Sequence, residues 1–383
     1  MDLTVIDYLL QTSIYTSWST TLQPVFGSSS GSVVVGFLFV AVALAITVVM
    51  ATVGGFGTYA ERKISADIQG RLGPNRVGPY GILQVLADGI KMVSKEDILP
   101  ISADKFLFYL APFLCLFGVI STFAVMPVSS GFTLSHFNLG IFYIIAISSL
   151  VGVGIFLGGY ASNSKWSLLG GMRGASQIVS YEIPVTLSIM SVVLVTGSLS
   201  FSGVLSHQGG MPHQWLIFYN PFMFISFFIL FIGSLAETNR APFDLPEAES
   251  ELVSGYNTEY TGIRFGLFAL AEYMEVFVVS AVASALFLGG YLVPFNLGGD
   301  GVVGQILQLS IFMMKALGLY YVVIWVRWTF PRLRVDQLMS VCWKYLTPIA
   351  IFNLVGNAVW VVVFNGKSFL EIVSSLGGGA SHH

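Results

Sequence analysis

Eight uncharged or nearly uncharged runs, each long enough to cross a lipid bilayer, constrain what this chain can fold into. They lie at 33–53, 106–126, 139–160, 178–196, 215–236, 265–290, 302–326 and 345–364. About 20 apolar residues span the hydrocarbon core, where a helix satisfies its own backbone hydrogen bonds. Of all residues, 55% are apolar and 10% are charged, which excludes an ordinary soluble domain. The sequence therefore predicts an all-α polytopic membrane protein with eight transmembrane helices.

The distribution of basic residues predicts how these helices are oriented. Fifteen of the 17 Lys and Arg residues lie in the loops after spans one, three and five, or between the end of span seven and the start of span eight. Because Lys and Arg accumulate on the cytoplasmic side, we expect those loops to face the cytoplasm and both termini to face the periplasm. The predicted organisation is an extracytoplasmic segment at 1–32, a membrane domain at 33–364 and a short tail at 365–383.

The first cytoplasmic loop, expected at 54–105, combines basic residues with a dense glycine and proline segment. It begins at Glu61 and includes the run GRLGPNRVGP at 70–79. Glycine and proline at this density favour a tight, irregular backbone. We interpret Arg62, Arg71 and Arg76 as a rigid cationic platform that docks a partner or a polar headgroup.

A helical pattern follows this platform. Apolar and polar side chains fall on two faces: Ile82, Leu86, Ile90 and Val93 on one, and Gln84, Asp88, Lys91 and Lys95 on the other. This spacing predicts an amphipathic helix along the cytoplasmic membrane surface. A simple interfacial anchor explains the pattern as well as a functional role does.

The loop expected at 237–264 carries negative charge on the side where positive charge is expected. Its carboxylates are Glu237, Asp244, Glu247, Glu249, Glu251 and Glu259, against Arg240 and Arg264. A solvated acidic loop is the simpler explanation, but the interleaved apolar residues favour a loop folded back on the protein. Carboxylates clustered in a partly desolvated place retain protons near neutral pH, which is what a proton relay requires.

Ionisable residues also occur inside the predicted spans, where each costs about 2.5–3.5 kcal/mol at the centre. They are Glu182, Glu272, Glu275 and Lys315. Glu272 and Glu275 are three residues apart and so share one helix face. A structural ion pair between Lys315 and a glutamate is one explanation. The alternative that we favour is a chain of carboxylates leading from the acidic loop into the membrane.

Motifs for metal, nucleotide or nucleic-acid binding are not visible in the sequence. Cys115 and Cys342 are far apart, neither a CxxC pair nor a Walker A motif occurs, and no GxGxxG motif follows a strand. We therefore expect no metal, iron–sulfur or nucleotide site in this chain, and no nucleic-acid partner.

Several long motifs together resemble those of a known family. They are ERK at 61–63, GPNRVG at 73–78, ADGIK at 87–91, SYE at 180–182, AETNRAPFDLPEAESEL at 236–252 and RLR at 332–334. Residues 33–364 resemble the quinone-site membrane subunit of respiratory complex I, which is designated H in bacteria and 1 in mitochondria. The resemblance implies a component of a proton-pumping NADH:quinone oxidoreductase without a redox centre of its own.

The resemblance also implies roles for individual residues. Together with the cationic platform it makes the following residues candidates for quinone binding: Arg62, Arg71, Arg76, Asp88 and Lys91. The candidates for the proton path are the carboxylates of the acidic loop and of the spans: Glu237, Asp244, Glu247, Glu249, Glu251, Glu182, Glu272 and Glu275.

The implied surroundings are those of a large membrane complex. Quinone, as ubiquinone or menaquinone, is the expected substrate, and FMN and iron–sulfur clusters belong to partner subunits. The expected partners are peripheral quinone-site and iron–sulfur subunits, and small membrane subunits that lead to the antiporter-like subunits. The expected location is the bacterial cytoplasmic (inner) membrane, with the mitochondrial inner membrane as the alternative.

Two other functions remain open at this point. One is the homologous membrane subunit of an ion-pumping hydrogenase or of another quinone-linked dehydrogenase, although the intact ETNRAPFD segment at 237–244 favours the quinone enzymes. The other is a secondary ion-coupled transporter, which predicts inverted repeats that are not visible in this sequence.

Overall fold

A computed structural model describes residues 30–131, 137–246, 248–296, 299, 301–364, 366–369 and 371–372 of the chain. Within these residues all regular structure is helical. The α-helices are α1 (Ser30–Ile68), α2 (Gln84–Ser94), α3 (Lys105–Phe123), α4 (Gly140–Ala161), α5 (Lys165–Thr196), α6 (Phe201–Ser206), α7 (Pro221–Glu237), α8 (Glu249–Leu252), α9 (Gly262–Phe287), α10 (Val302–Thr329), α11 (Val335–Ser340) and α12 (Thr347–Val363).

Seven helices of the described chain are long and apolar enough to cross a membrane. They are α1, α3, α4, α5, α9, α10 and the continuous helix over Val335–Val363. The remaining predicted span corresponds to α7, which has 17 residues. Its predicted start at 215 is wrong: the Asn220 side chain caps α7 by accepting from the Met223 N–H at 2.6 Å, and Pro221 is the first helical residue. Asparagine and proline favour these two positions, so the residues before them form 3-10 turns.

Two spans extend further toward the charged loops than hydropathy predicts. Helix α1 continues to Ile68, so Glu61, Arg62 and Lys63 lie on its last turns and do not begin a loop. Helix α5 begins at Lys165, thirteen residues before the predicted 178. Hydropathy detects only the part of a helix inside the hydrocarbon, whereas these polar segments contain no proline and continue the same helices.

The last span also begins earlier than predicted, with an irregular turn inside it. Helix α11 continues through a π-helical turn, Val341–Leu346, into α12. Pro348 follows directly, and its ring cannot donate a hydrogen bond and clashes with the carbonyl four residues before it. The wider turn accommodates the proline, and the Thr347 hydroxyl donates to the Cys342 carbonyl at 2.9 Å.

Helix α9 is the centre of the bundle. It packs against α1, α2, α3, α7 and α10, while α5 packs against α4, α7 and α12. We call the end of the bundle that carries residues 69–104 and 238–261 the charged end. The loops there are joined by backbone hydrogen bonds, from Asp104 N–H to the Ala161 carbonyl at 3.1 Å and from Leu333 N–H to the Pro242 carbonyl at 3.0 Å.

The acidic loop, 238–261, is folded against the helices. Phe243, Leu245, Leu252 and Tyr256 are all buried, which confirms the expectation of a loop folded back on the protein. It approaches α5 so closely that a Cβ on Gly170 would lie 2.7 Å from the Tyr256 backbone nitrogen. Glu247 and the side chain of Glu249 lie outside the described part of the chain.

Candidate functional site

Three glutamates from three helices meet at one cavity inside the bundle. Glu182 of α5, Glu237 at the end of α7 and Glu275 of α9 line a space of about 60 Å³. By volume, the cavity has room for on the order of four water molecules. Most of its wall is apolar, and its other polar side chains are hydroxyls: Thr122, Ser148, Thr186 and Ser234.

Glu272 lies one turn closer to the charged end, outside this cavity. Its Oε1 accepts a hydrogen bond from the Tyr256 hydroxyl at 2.7 Å. Arg240 acts on both acids of α9, but Asp244 and Arg327 act on Glu272, whereas Glu237 acts on Glu275. The two acids of α9 therefore do not share one pocket. Glu272 lies between the cavity and the charged groups of the charged end.

Those charged groups form what we call the arginine cluster: Glu61, Arg240, Asp244, Arg327 and Arg332. The Glu61 carboxylate accepts from Arg240 at 3.3 Å and also from Arg327. Asp244 accepts from Arg332 at 2.8 Å. Glu61 is 7% exposed and Arg240 is 5% exposed, so the centre of the cluster is shielded from solvent.

Burial and neighbouring charges act on the two loop members of the cluster in different ways. Burial raises the pKa of Asp244, and Arg332 and Arg327 offset only part of that effect. Burial alone would lower the pKa of Arg240, but the Glu61 carboxylate raises that pKa further above its ordinary value. Arg240 therefore stays charged, while Asp244 holds its proton more readily than an exposed aspartate does.

One glutamine fixes the loop that carries Arg240 and Asp244. The buried Gln177 of α5 donates from Nε2 to the carbonyls of Ala236 at 2.7 Å and Phe243 at 2.8 Å. The same nitrogen donates to Asn239 Oδ1 at 3.3 Å. A single side chain thereby ties the end of α7 to the middle of the acidic loop.

The candidate quinone-binding residues lie apart, on the surface of the charged end. Arg62 donates to Asp88 at 2.5 Å, and the Lys91 ammonium lies 3.9 Å from the same carboxylate. Arg71 donates instead to Gln69 at 2.5 Å, and both Arg71 and Arg76 are exposed. The structure thus brings together three of these five residues.

Two further predicted residues lie away from the cavity and the arginine cluster. Glu251 is half-exposed and pairs with Arg173 of α5 at 2.6 Å. Lys315 donates to the carbonyls of Leu288 at 2.7 Å and Gly290 at 3.0 Å, at the end of α9. It therefore caps a helix and forms no ion pair with a glutamate of the described residues.

Sequence reasoning overlooked Glu61, Arg327 and Gln177 as site residues. The available signal for Glu61 was the small residues one and two turns before it, Gly54 and Gly57. A Cβ on Gly57 would lie 2.5 Å from the Tyr320 hydroxyl, and one on Gly54 would lie 2.9 Å from the Met274 side chain. Glu61 continues this face of α1 at helical spacing, and the face is buried against α9 and α10.

Comparisons with known proteins identify the family of the chain. The sequence model for NADH dehydrogenase matches residues 40–358. The NADH-quinone oxidoreductase subunit designated H from Chlorobaculum tepidum is 45% identical over 354 residues, covering 90% of this chain and 97% of the relative. Its counterpart in Bacteroides fragilis is 44% identical over 361 residues, covering 92% and 98%. The counterpart in Anaeromyxobacter dehalogenans is 45% identical over 327 residues, covering 82% and 79%. The chain therefore belongs to the NADH dehydrogenase family that includes these membrane subunits.

Proposed function

We propose that this chain is the quinone-site membrane subunit of a proton-pumping NADH:quinone oxidoreductase in a bacterial cytoplasmic membrane. Electrons reach quinone from FMN and iron–sulfur clusters of partner subunits, and this chain supplies part of the quinone chamber and a proton path. The observation that carries the proposal is the cavity lined by Glu182, Glu237 and Glu275, which Glu272 connects to the arginine cluster.

The proton path would run along these carboxylates. An ionisable residue inside a membrane is costly and is usually functional. Four glutamates on three helices lie in succession here, with a cavity that can hold water between three of them. Asp244, whose pKa is raised by burial, lies at the charged end of the series and can accept a proton there.

The quinone side would be completed by partner subunits. Arg62, Asp88 and Lys91 form a charged group on the surface of the charged end. Such a group binds a polar ring tightly only when other protein encloses it and excludes water. Peripheral subunits docked on this end would close the chamber over the headgroup of the quinone.

The orientation in the membrane follows from the same proposal. All eight apolar helices cross the bilayer, α7 included, with the charged end in the cytoplasm and both termini outside. Leu86, Ile90 and Val93 of α2 are 63%, 69% and 70% exposed in the isolated chain. A stripe of this kind on a helix with a polar opposite face fits the interface of a bilayer.

Replacing Glu237 by Gln in the assembled complex tests the proton path. We expect normal assembly and normal NADH oxidation with an artificial acceptor, but reduced proton pumping during quinone reduction. Glu259→Gln is the matched control, because it removes a carboxylate of the adjoining acidic loop that lies outside the cavity and the arginine cluster. Wild-type pumping and turnover in Glu237→Gln would refute the role of the cavity.

Replacing Arg62 by Ala tests the quinone side. We expect slower quinone reduction while reduction of an artificial acceptor by the peripheral arm survives. Arg334→Ala removes an exposed arginine elsewhere on the charged end and serves as the control. Equal loss of both activities in Arg62→Ala would mean that this arginine serves assembly.

A further inference from the structure

We propose that Arg240 is a cation with two positions, paired with Glu61 in this structure and with Glu272 when Glu272 is ionised, and that Glu61 is the positioning residue that draws it back. This inference rests on the proposed proton path. When Glu272 carries a proton it is neutral, and Arg240 stays on Glu61. When that proton passes to the ionised Glu275, Glu272 becomes negative and attracts the guanidinium.

The first argument is that Arg240 is poorly satisfied where it lies. Its contact with Glu61 is long, at 3.3 Å, and its guanidinium carbon stacks 4.2 Å from the ring centre of Tyr273. Its Nε and Nη2 atoms are buried and make no hydrogen bond in the described part of the chain. A buried guanidinium normally uses most of its five donors, because each donor without a partner costs free energy. These two nitrogens leave it free to engage a second carboxylate.

The second argument is the location of the second carboxylate. Tyr273, under the guanidinium, is the residue next to Glu272 on α9. Arg240 is also the cation that acts most strongly on Glu272. A guanidinium on a flexible stem can turn from one side of this ring toward the other without moving the loop backbone, which Gln177 fixes.

The third argument is that Glu61 keeps a counter-charge when Arg240 leaves. Glu61 accepts from two arginines, and Arg327 remains as its partner. A buried carboxylate with one arginine would lose its only counter-charge in such an exchange, which is strongly unfavourable. Two arginines on one carboxylate allow the exchange to proceed without an isolated buried charge.

The fourth argument is the balance of charge around the two positions. When all groups are ionised, the arginine cluster and Glu272 together hold equal numbers of both signs: Arg240, Arg327 and Arg332 against Glu61, Asp244 and Glu272. A proton on Glu272 leaves one excess positive charge. When Glu272 loses that proton the charges balance again, and the movement of Arg240 from Glu61 to Glu272 gives the new carboxylate its counter-charge while Arg327 remains on Glu61.

The experiment is the structure and activity of the assembled complex with Glu61→Gln. We expect the Arg240 guanidinium within hydrogen-bond distance of Glu272, and quinone-coupled proton pumping reduced at least tenfold. Glu61→Asp keeps the charge and should restore pumping, which a merely structural role of the longer side chain would not explain. Asp67→Asn, an exposed carboxylate on the same end of α1, is the matched control and should behave as wild type.

The single variant Glu61→Gln leaves Arg240 and Arg327 without their common carboxylate, which can prevent assembly. In that case the double variant Glu61→Gln with Arg327→Gln removes one charge of each sign and restores the charge balance. The same relocation of Arg240 is expected in it. Arg240 found over Tyr273 in either variant, away from Glu272, would overturn the two-position mechanism. If Glu237→Gln loses pumping but Glu61→Gln pumps fully, this inference alone is overturned. If both Glu237→Gln and Glu61→Gln pump fully, the proton path is overturned as well.

Discussion

The bond network of Gln177 predicts how firmly the acidic loop is docked. Gln177→Met keeps a side chain of similar length but removes the amide that donates to the carbonyls of Ala236 and Phe243. Each carbonyl keeps a backbone donor, from Asn239 N–H to Ala236 and from Leu245 N–H to Phe243, so each lost amide bond costs about 0.5–1.5 kcal/mol and the two together cost about 1–3 kcal/mol. Since about 1.4 kcal/mol changes an equilibrium constant tenfold, undocking of the loop becomes about 5-fold to 150-fold more frequent.

Hydrogen exchange read by mass spectrometry on the purified complex measures this change directly. The peptide over 238–261 contains the loop hydrogen bonds from Arg240 N–H to Leu235 and from Phe243 N–H to Arg240. We expect its slow amides to exchange at least about 5-fold faster in Gln177→Met, with the peptides of α3 and α4 unchanged. Gln69→Met is the control, because Gln69 is exposed and its partner Arg71 is exposed as well. Unchanged exchange of the 238–261 peptide in Gln177→Met would refute the claim that this glutamine docks the loop.

Three further predictions follow from single contacts. Gly170→Ala places a Cβ against the backbone of Gly255 and Tyr256, so we expect a loss of about 1–3 kcal/mol in thermal denaturation of the complex, whereas Gly89→Ala has open space and should cost nothing. Because the pKa of Asp244 is higher in the folded chain than its ordinary 3.8, docking of the loop should weaken as pH rises from about 4 through the native value. Asp244→Asn should remove this dependence when exchange, corrected for its intrinsic pH effect, is measured across that range, and an unchanged slope would contradict it. Lys315→Met leaves two carbonyls at the end of α9 without their donor and should lower stability by about 1–2 kcal/mol, while Lys367→Met at an exposed position should not.

Hydropathy predicted the membrane helices well and their ends poorly. Every predicted span contains a helix, and seven helices of the described chain are long and apolar enough to cross a membrane. The polar continuations of α1 and α5 carry no such signal, because a helix that leaves the hydrocarbon needs only the absence of a breaker. The start of α7 was missed for the opposite reason, since Asn220 and Pro221 interrupt a run that remains apolar on both sides.

The sequence indicated which residues belong to the candidate site better than it indicated how they are arranged. Carboxylates inside apolar runs stand out in the sequence, so Glu182 and Glu275 were found at once. Their meeting with Glu237 depends on how α5, α7 and α9 pack, and no periodicity within one helix contains that information. The contacts of Glu61 with Arg240 and Arg327 join positions 179 and 266 residues apart. Local pattern cannot predict such pairs, because their partners are brought together only by the tertiary fold.

The position of Glu272 and Glu275 on a single helix has a consequence for how this chain can vary. One residue inserted between them would rotate the second carboxylate by about 100° about the axis of α9, taking it away from the cavity. The span would remain just as apolar and would still insert in the membrane. The number of residues between Glu272 and Glu275 therefore decides whether both carboxylates belong to the proposed path. A change in that number would separate the cavity from the arginine cluster in a chain that still folds and inserts.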